Sequence, residues 1–134
     1  MKIDPTSEKP IFLQIADELE DAIFTGVFEE ETQIPSTNEI ATLWKINPHT
    51  VLKGMNILVD EDMIYKKRGL GMFVKQGAVQ KITEKRQNNF YDMYIESLVL
   101  EAKKLDITFE EVMKLIERGY GNANDQSWEY FKTV

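Results

Sequence analysis

Apolar positions along the chain fall into blocks of different period, and each change of period predicts a new element. Ile11, Ile15, Leu19, Ala22 and Ile23 recur at helical spacing, with Asp17, Glu18, Glu20 and Asp21 on the opposite face. This predicts a first helix opening near Pro10, where a missing N–H costs nothing, and stopping at Gly26. Glu29-Glu30-Glu31 reads as an exposed acidic loop. Thr32-Gln33-Ile34-Pro35 reads as a short extended segment, because the residue before a proline disfavours helical backbone. Ser36-Thr37-Asn38-Glu39 has the capping-box pattern, and Ile40, Ala41, Leu43 and Trp44 supply the apolar side of the short helix after it. Lys45-Ile46-Asn47-Pro48 breaks that helix. Asn47 as cap and Pro48 as first residue start another, with Val51, Met55, Leu58 and Val59 as its stripe. His49, Thr50, Lys53 and Asn56 lie off the stripe.

Two short helices joined by a tight turn describe a helix-turn-helix. Met63-Ile64-Tyr65-Lys66-Lys67-Arg68 has strand character, Gly69-Leu70-Gly71 turns the chain, and Met72-Phe73-Val74-Lys75 returns. A helix-turn-helix followed by a basic hairpin is a winged helix-turn-helix; the same hairpin would also close the core. From about Val79 the pattern is helical again. Tyr91, Ile95, Leu98, Ala102 and Leu105 step as a heptad seam, which Phe90, Met93, Tyr94 and Val99 widen. Thr108-Phe109-Glu110-Glu111 is a second capping box, followed by a stripe of Phe109, Val112, Met113 and Ile116 that Gly119 and Gly121 are expected to end. The tail is polar except for Trp128, Tyr130 and Phe131. The predicted fold is mostly α with a small β-hairpin: a winged helix-turn-helix over residues 1–77 and a helical hairpin with a tail over 78–134.

Charge changes the picture. The 134 residues carry a net charge of −7, which at first argues against nucleic acid as partner. Yet residues 1–43 are net −8, residues 44–75 net +3 and residues 76–134 net −2. Phosphate attraction acts over about a Debye length, ~8–10 Å, so local charge decides it. The segment carrying the second helix of the pair and the hairpin is therefore a candidate DNA surface. Other chemistries are poorly supported. The chain has no cysteine and a single histidine, His49, so a thiolate zinc site, a disulfide framework and a histidine-based triad are not expected. There is no Gly-rich phosphate loop and no nucleophile–base pair. The expectation is a cytoplasmic protein that is not an enzyme and needs no cofactor or metal, with no membrane-spanning run and no signal peptide.

The stretch from Pro10 to Val74 resembles the DNA-binding domain of the GntR transcription regulators. The resemblance rests on Pro10-Ile11-Phe12-Leu13-Gln14-Ile15-Ala16, Ile34-Pro35-Ser36-Thr37-Asn38-Glu39-Ile40-Ala41, Asn47-Pro48-His49-Thr50-Val51 and Arg68-Gly69-Leu70-Gly71-Met72-Phe73-Val74. These are four co-linear motifs, and the first and third look most like the YtrA-type branch. The short remainder fits that branch, and the helix pair around Leu105–Val112 looks like its dimerisation hairpin. The resemblance spans roughly residues 5–118. It implies Arg where this chain has Asn38, and often a basic residue where it has Leu70.

For DNA, phosphate anchors and base-edge readers are both needed. The helix start after Asn47 is expected to offer free N–H groups to a phosphate. Ser36, Thr37 and Thr50 can donate hydroxyl hydrogen bonds, although Ser36 and Asn47 are needed as caps in any case. His49, Lys53 and Asn56 can face the major groove, and Asn38 can favour an adenine. Lys66, Lys67 and Arg68 would hold the wing to the backbone, with Gly69 and Gly71 allowing close approach to the minor groove. The reading is a sequence-specific transcriptional regulator: a homodimeric repressor on double-stranded DNA with a near-palindromic operator. Tyr91, Ile95, Leu98, Ala102 and Leu105 form its dimer seam, and an unidentified small-molecule effector could bind only between the C-terminal helices or at the dimer interface. The alternative is a protein-interaction module built on a winged helix with weakened DNA binding.

Overall fold

The computed structural model describes residues 3–121. They form helix α1 (Ile11–Phe24), α2 (Thr37–Trp44), α3 (Pro48–Asp60), strands β1 (Ile64–Lys67) and β2 (Gly71–Val74), and α4 (Ala78–Phe90). A π-helical turn (Tyr91–Ile95), α5 (Glu96–Lys104) and α6 (Phe109–Gly121) follow. The fold is mostly helical with one antiparallel hairpin, as the patterning predicts. Trp128, Tyr130 and Phe131 lie outside the described residues.

The chain divides into two compact units, Met1–Lys85 and Arg86–Val134. The first has a continuous core. Ile15, Leu19 and Ile23 from α1 meet Val51, Met55 and Leu58 from α3, with Ile40 and Ala41 from α2 beside them. Met63, Ile64 and Val74 from the hairpin close one side, and Ala78 and Ile82 from α4 complete the cluster. A fully buried aliphatic side chain of this kind stabilises by about 1.5–3 kcal/mol relative to exposure. The α1–α3 crossing is close because of Gly54: a Cβ there would lie 2.8 Å from the Phe12 carbonyl oxygen and 2.9 Å from Ile15 Cγ2.

Local chemistry sets the ends of these elements. Pro10 occupies the N-cap of α1 rather than its first turn, and its carbonyl accepts from Leu13 and Gln14. Both caps of the helix pair form as expected: Ser36 Oγ accepts from Glu39 N–H at 3.1 Å, Glu39 Oε1 accepts from Ser36 N–H at 3.2 Å, and Asn47 Oδ1 accepts from His49 N–H at 2.8 Å. Lys45, in left-handed backbone (φ 55°), ends α2 and gives the tight turn. Leu43, expected on the apolar side of α2, instead points outward and is 74% exposed. The expected extended segment at Thr32–Ile34 pairs along the free edge of β2, with Gln33 bridging Phe73 and Ile34 N–H donating to the Met72 carbonyl. In the hairpin itself Ile64 faces Val74, Tyr65 faces Phe73, Lys66 faces Met72 and Lys67 faces Gly71.

The acidic loop is not merely solvated. Glu30 takes N–H bonds from Gly77 (2.8 Å) and Val79 (3.0 Å), so its carboxylate caps the start of α4. Those bonds, Gly77 first and Val79 next, outweigh burial and hold its pKa below the ordinary glutamate value. Lys85, one turn after Ile82, binds Glu20 of α1 (2.6 Å) and Glu61 after α3 (2.9 Å). Burial works to lower its pKa, but the hydrogen bonds it donates to these two carboxylates, with their charge, outweigh it and the pKa stands above the usual lysine value.

In the second unit none of the described residues is buried. Thr108 and Glu111 form the expected capping box at 3.2 Å in both directions. α6 runs through Gly119 to Gly121, the second of the two glycines expected at its end. One expectation is corrected. The heptad seam is interrupted, because the π-helical turn holds one residue more than an α-turn and shifts the phase at Tyr91–Ile95. Periodicity cannot reveal such a turn, because apolar residues on both sides still recur every three or four positions.

Candidate nucleic-acid interface

The helix-turn-helix and hairpin bring most of the expected site residues to the surface. Asn38, in the first turn of α2, is exposed and borders a shallow depression with Glu39, Thr42 and Leu43. His49, Lys53 and Asn56 are exposed on one face of α3, and Thr50 is half-buried beside them. Lys66, Lys67, Arg68 and Gly69 are exposed along the hairpin and its tip.

Two expectations about donors change. The start of α3 offers no free N–H group. Pro48 has none, His49 N–H is taken by the Asn47 side chain, and Thr50 and Val51 donate to the Asn47 carbonyl at 3.0 and 3.2 Å. Within the helix pair, the first-turn amides without a partner among the described residues are those of Thr37 and Asn38 in α2. The Thr37 hydroxyl points inward and donates to Met55 Sδ at 3.3 Å. Ser36 Oγ accepts at its cap, so its own hydrogen remains to donate.

Lys53 is not extended into solvent. Its Nζ lies 4.1 Å from the centre of the Phe12 ring on α1, a cation–π contact worth about 0.5–1 kcal/mol at an exposed site. Lys67 rests in the same way on the outer face of the hairpin, 4.4 Å from the Phe73 ring centre, with Tyr65 packed against Phe73. Both aromatic rings therefore steer basic side chains, a function their apolar character does not reveal in sequence.

The pairing of charges sharpens the segment total. Of the bases in residues 44–75, only Lys75 is in an ion pair, with Asp62 at 2.8 Å. Lys45, Lys53, Lys66, Lys67 and Arg68 have no acidic partner among the described residues. Two of the segment's three acids are engaged by lysines of α4: Asp62 by Lys81 at 3.5 Å and Glu61 by Lys85. The hydrogen bond from Lys75, then the charges of Lys75 and Lys81, hold the Asp62 carboxyl below the usual carboxylate range. Among the described residues the segment is thus left with five unpaired cations, on the turn, α3 and the wing, against one unpaired acid, Asp60.

The wing tip is held by a residue that patterning did not single out. Gln33 Nε2 donates to the Leu70 carbonyl at 2.6 Å, and Leu70 N–H donates to the Lys67 carbonyl at 2.9 Å. Gly71 makes room for this: at φ 127° its backbone disfavours a side chain, and a Cβ there would stand 2.7 Å from Gln33 Nε2. Close approach to DNA is therefore not needed to explain Gly71. Its φ, like that of Gly69 at 81°, is a demand of the turn itself.

The five seam residues do not share one environment. Leu98, Ala102 and Leu105 line an apolar depression of the α5–α6 hairpin with Val112, Leu115 and Ile116. Tyr91 and Ile95 lie in the π-helical turn. Among the described residues no cluster of metal-ligating side chains occurs, and no helix is long and apolar enough to cross a membrane.

Known proteins share this arrangement. The family described as bacterial regulatory proteins, gntR family, matches residues 12–74, which run from α1 to the end of the wing. The HTH-type transcriptional repressor YtrA of Bacillus subtilis (strain 168) is 26% identical over 117 residues, 87% of this chain and 89% of that one. A crystal structure of a GntR-family protein from Bacteroides thetaiotaomicron is 34% identical, with a TM-score of 0.70, and the match covers 84% of this chain and 98% of that chain. A structure of AraR(DBD) in complex with operator ORX1 is 29% identical, with a TM-score of 0.50, over 55% of this chain and 92% of that chain. By its helix-turn-helix, its wing and a likeness that runs nearly the whole length of the Bacteroides protein, the chain belongs to the GntR family of bacterial regulatory proteins.

Proposed function

We propose that this chain is a sequence-specific DNA-binding transcriptional regulator, a cytoplasmic repressor acting as a homodimer on a near-palindromic operator. The observation that carries the reading is the set of five unpaired cations on the turn, α3 and the wing of an otherwise acidic protein. In this reading the winged helix expected over 1–77, with the start of α4 that completes its core, binds DNA, and the rest of the chain dimerises. The exposed face of α3 enters the major groove, where His49 and Asn56 reach base edges. Lys53 leaves the Phe12 ring to donate to guanine O6 or N7. Asn38 reads an adenine beside it. Ser36, Thr50 and the free amides of Thr37 and Asn38 take phosphate oxygens, with Asn47 as the cap that orients α3. Lys66, Lys67 and Arg68 hold the wing to the backbone around Gly69 and Gly71.

Dimerisation is supported by the second unit, in which none of the described apolar side chains is fully buried. Tyr91, Ile95, Leu98, Ala102 and Leu105 would meet a second copy, so that each winged helix reads one half-site.

Binding-site selection from random duplexes with the full chain, followed by anisotropy titration, tests the reading. Lys67→Ala is expected to weaken binding to all duplexes alike and flatten the salt dependence by about one unit of slope. Lys53→Ala is expected to weaken the selected duplex more than random DNA. Binding without sequence preference at low salt would favour a protein-interaction module instead.

A further inference from the structure

The wing ends in an apolar residue. Leu70 sits at the apex of the hairpin between Gly69 and Gly71, 64% exposed, with Lys66, Lys67 and Arg68 immediately before it. A single exposed leucine needs no explanation on most surfaces. This one stands on a backbone that is fixed from two sides. Its carbonyl is gripped by Gln33 Nε2, its N–H by the Lys67 carbonyl, and the glycine after it is shaped around the Gln33 side chain. The side chain is thus presented at a set place at the tip of a cationic finger, with most of its surface open.

We propose that Leu70 is a specificity-determining residue that rejects guanine in the minor groove under the wing, and that Gln33 is the positioning residue that aims it. The inference rests on the DNA-binding reading above. In the minor groove A·T and T·A pairs show only acceptors, whereas G·C adds the guanine 2-amino donor. An isobutyl group pressed against that donor strips its water and offers no acceptor in return, so the contact is unfavourable. Against A·T the same group meets a smooth floor, as do the apolar side chains that other minor-groove proteins insert. A·T tracts also narrow the groove and deepen its negative potential, which suits the neighbouring Lys67 and Arg68. A basic residue at position 70 would lack this apolar penalty, so Leu70 exchanges one phosphate anchor for discrimination.

Inosine separates this from other sources of preference. An inosine·cytosine pair presents the major groove of G·C but lacks the 2-amino group. The duplex chosen by binding-site selection with the full chain is altered at each flanking A·T position, once to G·C and once to I·C, and affinities are read by anisotropy. At the wing positions G·C is expected to weaken binding about 5- to 10-fold and I·C to restore it. Leu70→Ala should bring the G·C to I·C ratio close to one at those positions only. Leu70→Lys should also abolish it and steepen the salt slope by about one unit. Gln33→Met, which keeps the length but removes the donor, should reduce the same ratio while leaving the salt slope and the thermal unfolding midpoint unchanged. Equal binding of G·C and I·C duplexes at every flanking position, or a ratio untouched by Leu70→Ala, would overturn the assignment while the regulator reading stands. If selection returns no preferred duplex, the regulator reading fails and this one with it.

Discussion

The two units spend their apolar residues differently. In Met1–Lys85 the stripes of α1, α3 and α4 meet one another and the hairpin, and side chains such as Ile15, Val51, Met55, Val74 and Ile82 are wholly buried. In the second unit the stripes are as regular, yet Phe109 remains 74% exposed and even Leu98 and Ile116 stay more than a third exposed. Periodicity alone does not distinguish these cases. An amphipathic helix that finds its partner within the chain makes a core, and one that does not leaves an apolar face, which in the reading proposed above a second copy covers.

That contrast can be broken most severely at Leu98. Leu98→Glu would place an unpaired charge in the proposed dimer contact at a cost of several kcal/mol, about 3–5. The dimer is expected to dissociate at micromolar concentration in analytical ultracentrifugation, with operator affinity lost in parallel and the helix content of the first unit retained. A dimer of unchanged stability would show that the exposed stripe is not the interface.

The opposite manipulation is Ile82→Ala in the first unit, where a wholly buried side chain is cut back. Unfolding in urea should shift by about 2–5 kcal/mol, with the loss independent of protein concentration. A concentration-dependent loss would mean that the first core is itself completed by a second copy.

The smallest effect is electrostatic. Glu30 has a folded pKa below the ordinary value of 4.5, owing to the N–H bonds from Gly77 and Val79. Its contribution is therefore fully present above the unfolded pKa and is lost as pH falls through the lowered folded one. Glu30→Gln is expected to cost about 1 kcal/mol at neutral pH and to flatten the fall in urea midpoint as the pH drops below the ordinary glutamate value of 4.5. An equal fall in both proteins would assign the acid sensitivity elsewhere.

What could be read in the sequence was local. The caps at Ser36, Asn47 and Thr108 each involve residues two or three apart, and the hairpin is signalled by glycines beside its own strands. So was the core stripe of α1 and α3, because a helix repeats its face every few residues. The missed features join distant positions. Glu30 caps a helix 47 residues on, and Gln33 grips a carbonyl 37 residues on. Lys53 leans on Phe12, and Lys85 spans Glu20 and Glu61. No spacing announces such pairs, since each depends on how the helices have already packed. The candidate site divides in the same way. Its exposed residues were visible as polar positions off the stripe, while the amides closed off at the start of α3 followed from where the Asn47 side chain turns.

The opening of α4 carries a practical consequence for dissection of the molecule. Ala78 and Ile82 belong to the core, Glu30 takes its N–H bonds from Gly77 and Val79, and Lys85 bridges α1 to the end of α3. A fragment ending at residue 77 would expose a hydrophobic hole, leave Glu30 with Gly77 but without Val79, and take Lys85 away from Glu20 and Glu61. An isolated winged helix meant for titration or crystallisation with DNA should therefore retain the chain through Lys85, and a protease that trims it shorter would be sampling an already opened molecule.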